Sequence, residues 1–138
     1  MSILRSKGKP NIGYFPKKAS TAFTPNTMAN FTVAGDTIET AGATTSVIGV
    51  CLREVKSSDA DYAAKTLIPV DMAGDTEDEF IADVTGGTAS TANIGLTYDL
   101  NASASAVNIA ATAADGSVRV VGFVSPTQLR VKFVDVSI

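Results

Sequence analysis

Residues 117–138, SVRVVGFVSPTQLRVKFVDVSI, constrain this chain more tightly than any other stretch of it. Two β-branched runs flank Ser125-Pro126-Thr127-Gln128. Proline suits that turn because its ring presets φ and it brings no N–H to a ladder. In the second run Leu129, Val131 and Phe133 alternate with Arg130 and Lys132, the period-two pattern of a half-buried strand. The phase then slips, and Val134, Val136 and Ile138 become the apolar set. A slip of one residue turns every later side chain to the opposite face, so a β-bulge is expected near Phe133 or Val134. Gly122, inside the first run, marks a second expected kink. The result is an antiparallel hairpin that needs further strands to cover it.

The remaining chain supplies such strands. With 138 residues it is sized for one domain with its own core. Only 18% of the residues are charged, too few for helices with a solvated face, and Gly, Pro, Asn and Asp recur about every ten residues. Apolar or alternating runs at residues 31–33, 37–40, 44–55, 65–70, 80–84 and 94–100 read as strands. The run 44–55 (TTSVIGVCLREV) is the most apolar and suits a central strand, whereas Pro69 confines 65–70 to an edge or a strand end. Residues 56–64 read as a polar segment with a helical turn capped by Ser58 or Asp59. Residues 107–113 read as a strand joined to the next by the hairpin signal Asp115-Gly116. Roughly eight short strands make an all-β fold, a small antiparallel β-barrel or sandwich.

Single-residue counts remove whole classes of chemistry. The chain has no His, no Trp and one Cys, which excludes a His-based triad, a Cys–His pair and the usual His/Cys zinc site within one chain. Cys51 lies in an apolar run and is expected in the core. No cofactor and no metal are expected, and the protein reads as non-enzymatic. The acidic residues Asp71, Asp75, Glu77, Asp78, Glu79 and Asp83 lack the ladder and central Gly of a calcium loop and read as a solvated loop. The Gly-rich pieces at 41–46 and 86–87 lack the following Gly-Lys-Ser/Thr of a phosphate loop. No apolar run is long enough to span a bilayer as a helix, and no secretion signal is evident at the start.

Charge is distributed unevenly. Arg5, Lys7, Lys9, Lys17 and Lys18 all precede the first acid, Asp36. From Asp36 onward lie the other six of the 11 bases and all 14 acids. Residues 1–32 also hold Gly8, Pro10, Gly13, Pro16 and Pro25 with Tyr14, Phe15, Phe23 and Phe31, a composition that discourages helices and central strands. The segment therefore reads as an extended basic N-terminal arm (1–32) on a β-rich body (33–138). An arm folded back onto its own domain, or one that is simply disordered, is the other reading. Nucleic-acid binding does not fit, because the five cations adjoin an acidic body and no binding fold follows.

Three segments then carry a resemblance: FIADVTGG, IGLTYDL and SVRVVGFVSPTQLRVKF, following a basic, Pro/Gly-broken start, a GDTIET strand and a Val-Ile-Gly-Val strand. In this succession the chain resembles the capsid decoration (cement) proteins and related head accessory proteins of tailed bacteriophages. The resemblance implies a small barrel or β-tulip body with an extended arm, trimers, and attachment to the major capsid protein on the outside of the head. It places the protein in the virion, assembled in the host cytoplasm, with no nucleic-acid, membrane or small-molecule partner. Under that reading Arg5, Lys7, Lys9, Lys17 and Lys18 meet acidic capsid patches, while Tyr14, Phe15 and Phe23 provide apolar anchors. The alternatives are a tail, fibre or head–tail joining component, or a carbohydrate-binding β module using the loops 71–79 and 85–93 at one end of a barrel.

Overall fold

A computed structural model describes residues 1–43 and 46–136. Among them are eleven strands and no α-helix: β1 (Ile3–Lys7), β2 (Ile12–Pro16), β3 (Met28–Phe31), β4 (Ile38–Thr40), β5 (Gly49–Cys51), β6 (Leu67–Met72), β7 (Glu79–Thr85), β8 (Thr97–Leu100), β9 (Val107–Asn108), β10 (Val118–Ser125) and β11 (Gln128–Phe133). The first sheet runs β1-β7-β11-β10-β8-β9, and β9 returns to pair with β7. Five strands thus close into a barrel, with β1 added beside β7. The second sheet runs β2-β6-β5-β3-β4, and a parallel bridge from Lys17 to Ile38 brings its two edges together at one point. The fold is all-β, with a small and mostly antiparallel barrel.

The C-terminal hairpin forms with Leu129, Val131 and Phe133 facing the core. Its bulges fall on β10, where two residues oppose one on β11 between Val120 and Gly122 and again between Phe123 and Ser125. The bulge expected near Phe133 or Val134 is absent. There β11 simply ends, and Val134 donates its N–H to Ser117 O at 2.9 Å before Val136 makes an isolated parallel bridge with Val47. Ile138, the last of the expected apolar set, lies outside the described residues, as do Thr44 and Thr45 of the run 44–55.

Two cores share the molecule. The first fills the barrel with Phe80, Ala82, Tyr98, Leu100, Val107, Val118, Val120, Leu129 and Val131, and reaches Met28, Val47 and Val50 of the second sheet. The other gathers Phe23, Ala29, Ile38, Ile48, Cys51, Val55, Ile68 and Val70. Neighbours along the chain face opposite cores: Met28 and Ala29, Val47 and Ile48, Val50 and Cys51. A strand buried on both faces shows no alternation, which is why residues 47–51 are apolar throughout.

Residues 1–32 are not an arm. They supply β1, β2 and β3, and Ile3, Phe23, Met28 and Ala29 are core residues. Gly8 (φ +88°) and Pro10 fall at the turn between β1 and β2 and Pro25-Asn26 (Asn26 φ +63°) ahead of β3, while Gly13 and Pro16 lie within β2, an edge strand. Their density signals short strands with tight connections, the folded-back alternative. Pro69 also departs from the edge expected for it, since β6 lies between β2 and β5. Its carbonyl accepts from Leu52 N–H at 3.0 Å, and β5 has already ended at Cys51. Residues 56–64 form successive turns, not a helix, with Asp59 Oδ2 accepting from Lys56 N–H at 2.8 Å. Of residues 107–113 only Val107 and Asn108 are strand, and Asp115-Gly116 sits in a loop crossing to β10, not in a hairpin. A Cβ on Gly116 would lie 2.5 Å from Tyr98 O, so close backbone approach accounts for that glycine.

Candidate interaction surface

The eight residues expected to bind a partner separate by location. Arg5 points inward from β1, its side chain 9% exposed. Its Nε and Nη2 donate to Asp71 Oδ2 and Oδ1 at 2.8 and 2.6 Å, and Nη1 pairs with Asp78. Nη2 also donates to Met72 O at 3.1 Å, and the guanidinium lies 5.0 Å from the centre of the Phe80 ring. The hydrogen bond to Asp71 is the main cause of an Arg5 pKa raised above its already high ordinary value, so this cation is permanent. Arg5 therefore ties β1 to β6 and to the loop ahead of β7, across 66 and 73 residues of sequence.

Lys17 is fully buried at the seam between β2 and β4. Its Nζ donates to Tyr62 O at 2.5 Å and to Lys18 O at 3.3 Å, and sits 5.5 Å from the Tyr62 ring centre. Phe23 is buried beside Val55, with which it exchanges two backbone hydrogen bonds of 2.9 Å. Phe15 packs edge-on against Phe31, ring centres 5.6 Å apart. These four residues hold the fold together. The other four reach solvent: Lys7, 3.7 Å from Glu79; Lys9; Lys18, 3.2 Å from Glu39; and Tyr14, 65% exposed.

Tyr14 belongs to a larger feature. It lies directly opposite Pro69, and Pro69 is hydrogen-bonded to Leu52, so the three side chains form a row across β2, β6 and the end of β5. Ile12 and Leu67 extend this face, and Tyr14, Leu67, Ile12 and Leu52 are each more than 40% exposed. The opposite face of the same strands carries Phe15, Ile68 and Val70 into the second core. Hence the β2–β6 pair is apolar on both sides with only one side covered, an arrangement that marks a contact surface. Lys9 and Lys18 stand beyond its two ends. The sequence holds a signal for Leu67, since Lys65, Leu67 and Pro69 alternate with Thr66, Ile68 and Val70. Joining Leu67 to Tyr14 required the β2–β6 register.

The acidic stretch is not a free loop. Asp71 and Asp78 are buried against Arg5, Glu79 faces both Lys7 and Arg130, and Asp83 accepts from Ser2 N–H and Gln128 Nε2 at 2.8 and 3.1 Å. Asp75 and Glu77 remain exposed. The two loops assigned to a carbohydrate site flank β7, one before its start and one after its end, so they lie at opposite ends of one strand. Cys51 is buried, its thiol pushed up by burial, with Sγ donating to Arg53 O at 3.1 Å. No family model matches the chain, and no curated protein matches it.

Proposed function

We propose that this protein is a non-enzymatic structural component of a tailed-phage head, bound to the outer surface of the capsid lattice. The observation that carries the reading is the exposed apolar row Tyr14–Pro69–Leu52, widened by Ile12 and Leu67, on an otherwise well-packed β-domain. An aromatic anchor amid aliphatic side chains is the usual make-up of the energetic centre of a protein interface, and Lys9 and Lys18 supply a charged rim. In this reading the docking element is a strand face of the body, not a flexible tether. Its partner is the major capsid protein, and a trimeric form multiplies a modest single contact into avidity.

Shells of major capsid protein lacking this chain test the reading. Wild-type protein is expected to add to them in numbers set by the lattice and to raise their resistance to heat. Tyr14→Ser is expected to weaken binding by about 2 kcal/mol, roughly thirtyfold, with little change in Tm. Shells that bind none, or that withstand heating equally without it, would end the proposal. Copies confined to the tail vertex would move the protein to the head–tail junction.

A further inference from the structure

The outer face of the barrel, on a different part of the molecule, carries a second feature. Between the inward-facing Val118 and Val120, Arg119 projects outward from β10; between Val131 and Phe133, Lys132 does the same from β11. The two are directly opposite each other in the antiparallel pair. Such neighbours have Cβ atoms roughly 4.5–5.5 Å apart, and like charges in this arrangement repel. Arg130 stands two residues along the same face of β11, and the bulge at Ser6 turns Lys7 outward on β1 beside Glu79. Four cations thus share one sheet face. Glu79 serves two of them, with Oε1 2.9 Å from Arg130 Nε and Oε2 3.7 Å from Lys7 Nζ. Lys132 Nζ reaches only the Thr76 carbonyl, at 2.6 Å. Among the described residues Arg119 has no ion pair and no side-chain hydrogen bond.

We propose that this face docks an acidic polypeptide segment, whose carboxylates sit between Arg119 and Lys132 and along to Arg130. The anion turns a repulsive cross-strand pair into a bridged one, and Arg119 offers a guanidinium fork matched to a carboxylate. Beside the cations, a groove of about 450 Å³ lined by Ser6, Lys7, Glu79, Ile81, Val124 and Arg130 holds apolar surface, and Leu4 and Val124 nearby are 49% and 41% exposed. A peptide with aliphatic side chains between its acids uses that surface. A nucleic-acid backbone does not, and its charges, spaced about every 1.7 Å along a duplex axis, would run on into the exposed Asp75 and Glu77 at one end and Asp99 toward the other. The short extent of the positive patch favours a short acidic segment.

Fluorescence anisotropy of the full chain with a labelled peptide alternating glutamate and valine, and with a single-stranded oligodeoxynucleotide of equal charge, tests the proposal. The peptide is expected to bind more tightly than the oligonucleotide, and added NaCl should weaken it. Arg119→Glu with Lys132→Glu is expected to reduce affinity roughly tenfold or more. Arg119→Lys should lose less than Arg119→Ala, keeping the charge but not the fork, and Lys65→Glu, on another surface, should leave affinity unchanged. Thermal unfolding of each variant separates lost binding from lost fold, and Arg119→Ala provides a milder replacement if the double reversal unfolds. Equal or tighter binding of the oligonucleotide, no detectable peptide binding, or affinity unmoved by the double reversal or by Arg119→Ala in folded protein would each overturn it.

Discussion

At the scale of single residues, two buried cations look alike in sequence and differ in physics. Arg5 is surrounded by the carboxylates of Asp71 and Asp78, both nearly excluded from solvent. Lys17 meets two carbonyls and the Tyr62 ring but no carboxylate, and the Tyr62 carbonyl it contacts also accepts from Ser20 N–H at 2.9 Å. Removing Arg5 leaves two buried negative charges without a counter-charge, each held only by a backbone N–H, of Asn11 or Asp75; removing Lys17 leaves a Tyr62 acceptor that is already satisfied. Arg5→Met is therefore expected to cost about 3–5 kcal/mol, and Lys17→Met to shift stability by less than about 1 kcal/mol, because relieving the ammonium's desolvation offsets its lost hydrogen bonds. Chemical denaturation of the two variants checks the contrast, and adding Asp71→Asn and Asp78→Asn to Arg5→Met should recover much of the loss. A third pair sits near the surface. Hydrogen bonds from Arg53 and then Thr66 hold Asp61 below its ordinary pKa. A depressed folded-state pKa means the pair's contribution is present above the unfolded value and is lost as pH falls through the folded one. Arg53→Ala should raise the Asp61 pKa in a carboxyl NMR titration and leave stability in strong acid unchanged.

At the scale of elements, β5 depends most on one small residue. Gly49 sits opposite Met72, and a Cβ there would lie 2.0 Å from the Asp71 carbonyl oxygen. Backbone on both strands must move to make room, at the point where β5 is packed between two cores. Gly49→Ala is expected to cost about 3 kcal/mol, at the upper end of overpacking penalties, with the denaturant slope unchanged. Gly122 makes a useful control, since its added Cβ would meet only the Arg130 guanidinium, at 2.6 Å, which can swing aside. Gly122→Ala should cost less than Gly49→Ala. Much at this scale was legible in the sequence. The alternation around Leu129, Val131 and Phe133, the alternation at Phe80 and Ala82, and the interior position of Cys51 all follow from period-two patterning and side-chain size. The expected bulge beyond Phe133 was a misreading with a physical source: a shift of apolar phase is produced equally by an extra residue within a strand and by a strand that stops.

At the scale of the whole molecule, the first thirty residues are part of both sheets. Deleting them removes β1 and β2, uncouples Arg5 from its two carboxylates, and takes away Phe23 and most of β3. The truncated chain is expected to lose cooperative unfolding in calorimetry and to aggregate, where detachment of a flexible arm would leave Tm nearly unchanged. Of the candidate surface, Tyr14, Lys9 and Lys18 were visible in the sequence as aromatic and basic residues near the start. The face they belong to was not, because it is made by Tyr14, Pro69 and Leu52 meeting across three strands. The sequence by itself determined the all-β class, the C-terminal hairpin and the inward side chains of β7 and β11, since each follows from the preferences of neighbouring residues. Only the tertiary structure decided that the basic N-terminus is woven into the body, that β3 and β5 lie between two cores, and which carboxylates hold Arg5. Those outcomes depend on registers between segments more than sixty residues apart, such as Arg5 with Asp71, and no local pattern carries that information.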